Sequence, residues 1–423
     1  PSLPWPSCTM SDVQTITLDQ LQRHLIAIDV PDGIPRVVIA GNATTPWAVV
    51  DVIDRSFERY RVHALNAAVG IPVRPGVIAE TCFVGPGMRR HPALSYIPSR
   101  LSMVPLLFAR TLPPDVVVLH CAPARDGLLS MGVEVNILPA AVEACRARGG
   151  VVIAVVNSRM PYTFGDSQIS PDEIDFAVEL DFELGASRET VPDEANVLIA
   201  KQVAAMIGDG ATLQMGIGAV PDSTLEALKD RRELRIWTEL FSDGVLNLED
   251  AHALDQDHIL TSSFCFGTRR LYDWMDGNPR VQMLRTEKTN SPTLIAGNRQ
   301  MTSVNAALEV DLFGQANASR IKARIHSGYG GQTDFIVGAM HSPGGQAFIA
   351  LRSWHPRADC STVVPLLDEP VTSFQQTAVV TEQGVARLLG YDEKTQARHL
   401  IEYAAHPHVR AELWEEAADL GLA

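Results

Sequence analysis

The sequence predicts an α/β protein made of two similar, open α/β domains, and three observations predict it. Strand-like and helix-like runs alternate along the whole chain, as in βαβ units. A polar stretch around residue 187 divides that alternation into two halves. The halves also share a pattern: VVIAGNATTPWAVV (37–50) and TLQMGIGAVPDSTL (212–225) each read strand, glycine, four residues, proline, helix. Gly41 and Pro46 in the first match Gly216 and Pro221 in the second. Glycine turns leading to proline-started helices are common, so the echo counts only together with the alternation.

In chain order, PSLPWPSCTMSDVQ reads as a short extension ahead of the first helix, without the basic and then apolar regions of a secretory signal. PRVVIAG (35–41) is a β-type run, and TPWAVVDVIDRSFERY is helical with Pro46 in its first turn. DVVVLHC (115–121) and GVVIAVV (150–156) are strands, with the helical PAAVEACRARG between them. The segment 184–210 opens with linker composition, turns helical near Pro192 and leads to the strand ATLQMGIG. The domains are therefore expected at 1–187 and 188–423. Residues 234–241 form an apolar run of strand length, and Ser242-Asp243-Gly244 reads as a turn. HSGYGGQTDFIVGA (326–339) is a glycine loop feeding an apolar run, with Asp334 as its anchor. PGGQAFIAL (343–351) has the same form, a glycine pair entering a strand. Two such loops suggest a site at strand ends, where α/β sheets bind ligands.

A chain of 423 residues has room for a core in each domain, and 46% apolar with 20% charged residues is an ordinary globular balance. The net charge of −15, from 50 acids against 35 bases, argues against a nucleic-acid partner. An anionic small ligand stays open, because backbone N–H groups can receive it. The six cysteines lie far apart with no CxxC pair, so neither a structural zinc nor a disulfide framework is expected, and a cytoplasmic location fits. No apolar run is long enough for a membrane span.

Among chemical candidates, Glu239 is out of place: a carboxylate beside Trp237, Leu240 and Phe241. It is either solvated at a strand end or partly buried with a function. QMGIGAVP (214–221) could offer free N–H groups at a helix start to an anion or an oxyanion, or could be a plain strand-to-helix turn. Pro221 replaces the third glycine of a dinucleotide fingerprint. His406-Pro-His408 lacks a cluster to complete a metal site and reads as a helix start, so no metal is expected. His120-Cys121 reads as a packed strand end, and no GxSxG elbow is present.

Several runs together resemble the acetyl-CoA hydrolase/CoA-transferase family, which includes 4-hydroxybutyrate, succinyl-CoA:acetate and itaconate CoA-transferases. They are FVGPGMRR (83–90), DGLLSMGVEVN (126–136), VNSRMPYTFGDSQI (156–169), LQMGIGAVPDSTLEAL, IWTELFSDGVLNL, GTRRLYDWMDGNP (267–279), NAALEVDLFGQAN (305–317), GGQTDFIVGA and VVTEQGVARLLG (379–390). The match keeps motif order over nearly the whole chain. It implies two domains of the CoA-transferase type, a glucosamine-phosphate-isomerase-like fold, with the site at their interface. It also implies a homodimer, acyl-CoA and small carboxylic acids as substrates, and no permanently bound cofactor. Coenzyme A would be substrate and covalent intermediate. The family's nucleophile falls on Glu239, which would form a glutamyl-CoA thioester in ping-pong chemistry. Gln214, Gly216, Ile217, Gly218 and Ala219 fall on one glycine loop and Gly330 and Gly331 on a second, the implied CoA contacts and oxyanion donors. Asn305 and Glu382 would have supporting roles. Three positions depart from the family pattern. Trp237 replaces a histidine, Gln346 replaces the lysine of a Gly-Gly-Lys site at the CoA, and SFQQTA lacks an Asn-Asp-x-His pattern. The alternatives are a thioester hydrolase on the same scaffold and a non-catalytic CoA-binding module.

Overall fold

A computed structural model of the protein describes residues 13–28, 30, 33–187 and 191–423. Most of the expected N-terminal extension, Cys8 within it, and residues 188–190 of the expected linker lie outside these residues. The described chain divides into two compact units. One runs through Ser187 and takes in Ser263–Glu287, while the other runs to Ser262 and resumes at Lys288–Ala423. The sequence boundary at 187/188 places 263–287 in the second domain instead. Backbone hydrogen bonds hold the segment in the first. Val135 N and Asn136 N donate to Ser263 O at 3.0 and 3.1 Å, Cys265 N to Val133 O at 2.8 Å, and Thr286 N to Asn136 O at 3.1 Å.

The first unit is organised around a parallel sheet. Its strands run in the order Gln14–Thr15, Phe176–Glu179, Val151–Val156, Val116–Arg125, Arg36–Ile39, Tyr60–His63, Val77–Thr81, Leu94–Tyr96. Val37, Val38, Val116, Val117 and Val118 are wholly buried, as β-branched residues on a sheet covered on both faces tend to be. The helix after Pro46 spans Trp47–Ser56 and stops earlier than its pattern suggests. Tyr60 instead enters a strand, its N–H donating to Gly76 O at 3.0 Å.

The second unit has a sheet ordered Arg235–Ile236, Thr212–Met215, Met301–Asn305, Gln346–Ala350, Ala378–Thr381, parallel throughout, with Gly384–Arg387 added antiparallel. From Thr212–Met215 the chain first adds a strand on one side and later one on the other. The carboxyl end of that strand is therefore a topological switch point, where open α/β sheets hold ligands. Arg36–Ile39 occupies the corresponding place in the first unit, between Tyr60–His63 and Val116–Arg125. The echoing glycines, Gly41 and Gly216, thus follow equivalent strands. They are continued differently: Gly41 leads through the short turn Asn42–Thr44, and Gly216 directly into the helix Ala219–Ala227 with Pro221 inside its first turn.

Three local readings change. The apolar run at 234–241 is two short strands, Arg235–Ile236 and Leu240–Phe241, with Glu239 between them. Ser242 is not a turn residue but the cap of the helix Asp243–Asp250, its hydroxyl accepting from Gly244 N. The run after the 326–331 loop is the helix Gln332–His341, since its apolar residues face the core with Gly331 as N-cap.

Candidate functional site

Glu239 has a fixed backbone. Trp237 N donates to Leu213 O at 3.1 Å and Thr238 N to Thr261 O at 3.0 Å. The Thr238 hydroxyl lies 3.2 Å from the Met215 carbonyl, and Ser262 Oγ donates to Glu239 O at 3.2 Å. With Ser242 starting a helix three residues on, little freedom remains.

The side chain is half-buried and held by its neighbours. Asn290, fully buried, donates from Nδ2 to Glu239 Oε2 at 2.5 Å. Its amide is oriented in turn by the Thr289 hydroxyl, which donates to Asn290 Oδ1 at 2.8 Å. Gly331 closes the other side. A Cβ there would overlap Glu239 Oε2 and Asn290 Nδ2, so any larger residue would displace the carboxylate and its amide partner. Burial pushes the Glu239 carboxyl up to about 7; the Asn290 hydrogen bond opposes this, and the charge of Asp334 adds to it. A carboxylate with that affinity for a proton is poorly hydrated and more nucleophilic than a solvated one. Glu239 is thus the partly buried carboxylate of the two readings.

The glycine loop meets Asn305. Gln214 Oε1 accepts from Ser303 Oγ at 2.6 Å and Asn305 Nδ2 at 3.2 Å, across the pair Gln214↔Ser303. Gly216, Ile217, Gly218, Ala219 and Asn305 line one cavity of about 350 Å³ in the second unit. Gly218 has φ +116°, a glycine conformation, and a Cβ at Gly216 or Gly218 would meet nothing within 4 Å. The loop borders open space.

Comparison with known proteins shows the family. Residues 267–417 match the model of the acetyl-CoA hydrolase/transferase C-terminal domain. The chain is 38% identical over 405 residues to the 4-hydroxybutyrate coenzyme A transferase of Clostridium kluyveri, covering 90% of this chain and 93% of that one. The chain belongs to the acetyl-CoA hydrolase/CoA-transferase family. A succinyl-CoA:acetate/propanoyl-CoA:succinate CoA transferase of Fasciola hepatica is 34% identical, over 77% of this chain and 70% of its own. The crystal structure of RipA from Yersinia pestis superimposes with a TM-score of 0.89 at 26% identity, covering 98% of this chain and 99% of that one.

In this CoA-transferase family member the other expected site residues separate. Gly330 (φ +58°) sits beside Gly331 in the second loop. Glu382 follows the strand Ala378–Thr381, and its carboxylate accepts from Ser353 N at 2.9 Å and from the Ser353 hydroxyl. Gln346 is placed differently from the expectation. It begins the strand Gln346–Ala350, pairs with Thr302 and donates to Met206 O at 2.8 Å, at the amino end of the sheet. The 344–346 turn therefore feeds the end opposite the 216–219 loop. Trp237 donates its indole N–H to Thr289 O at 2.9 Å. Indole has no acceptor nitrogen, so it positions the Asn290 segment and cannot take a proton.

His120 and Cys121 are packed as expected, but inside the strand Val116–Arg125 rather than at its end. His120 Nδ1 lies 2.8 Å from Thr44 O, and burial lowers its pKa to about 4 while pushing Cys121 up to about 12. His406 caps the turn Pro407–Val409 and stacks on His408, and no group of side chains suited to a metal occurs among the described residues. Nor is any described helix long and apolar enough to cross a membrane. Asn290 escaped the sequence reading. It lies 51 residues from Glu239, and an asparagine before Ser-Pro reads as ordinary turn chemistry.

Proposed function

We propose that the protein is a CoA-transferase that moves coenzyme A between an acyl-CoA and a small carboxylic acid, with Glu239 as nucleophile. The observation that carries this reading is the Glu239 carboxylate itself: half-buried, aimed by Asn290 and faced by Gly331. Its oxygen attacks the acyl carbonyl of the thioester, the C–S bond breaks, and CoA thiolate leaves a mixed anhydride. The thiolate then attacks the glutamyl carbonyl, releasing the acyl group as a carboxylate and leaving glutamyl-CoA. The incoming acid attacks that thioester and the two steps run in reverse.

Backbone N–H groups at Gly331 and along 216–219 are proposed as donors to the tetrahedral oxyanions. Coenzyme A is substrate rather than resident cofactor in this scheme. A carboxylate acceptor arrives ionised and needs no base, whereas water does. Trp237 in place of a histidine therefore favours transfer over hydrolysis. The acids in the relatives' names, 4-hydroxybutyrate and succinate, head the panel to assay. A homodimer belongs to the same proposal, and sedimentation checks it.

The test is to incubate the enzyme with acyl-CoA alone and measure intact mass. A CoA adduct that borohydride destroys, and that maps to Glu239, supports the reading; an adduct on a cysteine sinks it. Rapid CoA release with no acid in the panel becoming thioesterified assigns a hydrolase instead.

A further inference from the structure

We infer that the cavity beside Gly216 receives the phosphate-bearing arm of CoA, and that Arg352 and His355 hold its phosphates in place of the 344–346 turn. The inference rests on the CoA-transferase reading and adds the residues that recognise the nucleotide end of the substrate.

Gly216, which follows the switch-point strand, stands in the cavity lining. The preceding carbonyl, of Met215, lies 3.2 Å from the hydroxyl of Thr238, next to Glu239. Gly216 in the lining is thus one residue away from a hydrogen bond to the nucleophile's own segment. Ile217, Val220 and Leu308 give the cavity apolar walls that suit an alkyl-amide arm, while Arg352 and His355 stand in its lining. On a chain of net charge −15, an anionic ligand needs such a local concentration of donors.

Arg352 precedes a hairpin, Trp354–His355 paired with Cys360–Ser361, and His355 lies within it. The root of the hairpin is fixed. Ser353 donates from its N–H and its hydroxyl to Glu382, and Thr362 N donates to Ser353 O at 3.2 Å. Trp354 Nε1 donates to Asp359 Oδ1 at 3.0 Å inside the hairpin. Arg352 Nη2 pairs with Asp193, which caps the helix Glu194–Ala205. A guanidinium has five N–H donors, so this pairing steers it and leaves a face for phosphate oxygens. The alternative cradle is misplaced. Gln346 lies four residues before Ala350 on one strand, about 13 Å from the cavity end of the sheet, with its amide on Met206 and Thr302.

The test compares CoA, 3′-dephospho-CoA and pantetheine, titrated calorimetrically into wild type, Arg352→Ala, His355→Ala and Arg352→Lys. Arg352→Ala is expected to weaken CoA roughly tenfold or more, with pantetheine unchanged, and Arg352→Lys to recover part of the loss. KM for acyl-CoA should rise while kcat holds. Should Arg352→Ala fail to fold without its Asp193 partner, His355→Ala and Arg352→Lys carry the comparison. Equal losses for CoA and pantetheine, or folded variants that bind CoA like wild type, overturn the inference while leaving the Glu239 adduct intact. A wild-type enzyme that binds no CoA overturns the transferase reading as well.

Discussion

Glu134 in the first unit and Glu239 in the second are both carboxylates withdrawn from water, and their surroundings treat them in opposite ways. Glu134 is saturated. Oε1 accepts from Gly41 N at 3.0 Å, Asn42 Nδ2 at 3.1 Å and Asn136 Nδ2 at 3.1 Å, and Oε2 from Thr44 Oγ1 at 2.5 Å. Burial raises its pKa and these four donors work against the rise. It fastens the loop after the switch-point strand, where Asn42 (φ +44°) and Asn136 (φ +24°) hold left-handed backbone. Glu239 has Asn290 as its hydrogen-bond donor and a glycine across from it. The two switch-point glycines differ in the same sense: a Cβ on Gly41 would strike the Leu65 carbonyl, and one on Gly216 would meet open space. A carboxylate given every donor it can accept becomes part of the scaffold. One left short of donors keeps its lone pairs for a substrate.

The sharpest test exchanges the two roles. Glu239→Ala should lose transfer by roughly a thousandfold or more and still melt as a folded protein. Glu134→Ala should strand four donors and cost about 3 kcal/mol or more in denaturant titration, with activity per folded molecule retained. If Glu134→Ala abolished turnover without lowering stability, the contrast would be wrong.

A second effect follows from protonation. Since burial raises the folded pKa of Glu239 to about 7, well above the ordinary range of a solvated carboxylate, the folded state binds the proton more tightly than the unfolded one. Ionising Glu239 therefore destabilises the fold, by an amount that grows as pH rises from 4.5 to 7 and is constant above. Glu239→Gln should gain up to about 3 kcal/mol at pH 8 and converge with wild type below the unfolded pKa. For the same reason kcat/KM should fall tenfold per pH unit below about 7, as the nucleophile protonates. A limb near the ordinary glutamate value would show that the carboxylate is solvated.

Smaller effects separate the glycines. Gly41→Ala should lose about 2 kcal/mol from the forced backbone shift, whereas Gly216→Ala should melt like wild type and act only on turnover. Equal melting of the two would erase the distinction between a filled and an open switch point. The least effect is expected at Gln346→Ala, which should trim stability by about 1 kcal/mol rather than CoA affinity. A raised KM for acyl-CoA there would return the 344–346 turn to the site.

Elements written in short range were legible in the sequence. The valine-rich runs at 37–39, 116–118 and 151–156 became parallel strands, because β-branched residues flanked by turn signals have few other stable arrangements in a core. The helix Leu138–Ala147 and the echo of Gly41 in Gly216 were legible for the same reason. So was Glu239 as an anomaly, since a charge in an apolar run is visible without coordinates. Ser242 was misread because serine before aspartate and glycine serves a turn and a helix cap alike. What lay at long range was decided by tertiary structure alone. Ser263–Glu287 joined the first unit through backbone hydrogen bonds to residues more than a hundred positions away. Asn290 reached Glu239 across 51 residues, and Gln346 went to the amino end of its sheet, because strand register and not local pattern decides which residues meet. Residue types along the chain determined that a carboxylate would stand among apolar neighbours. Only the folded chain decided that Glu239 would have one amide and a glycine beside it while Glu134 received four donors, since donors are counted in space and not in sequence.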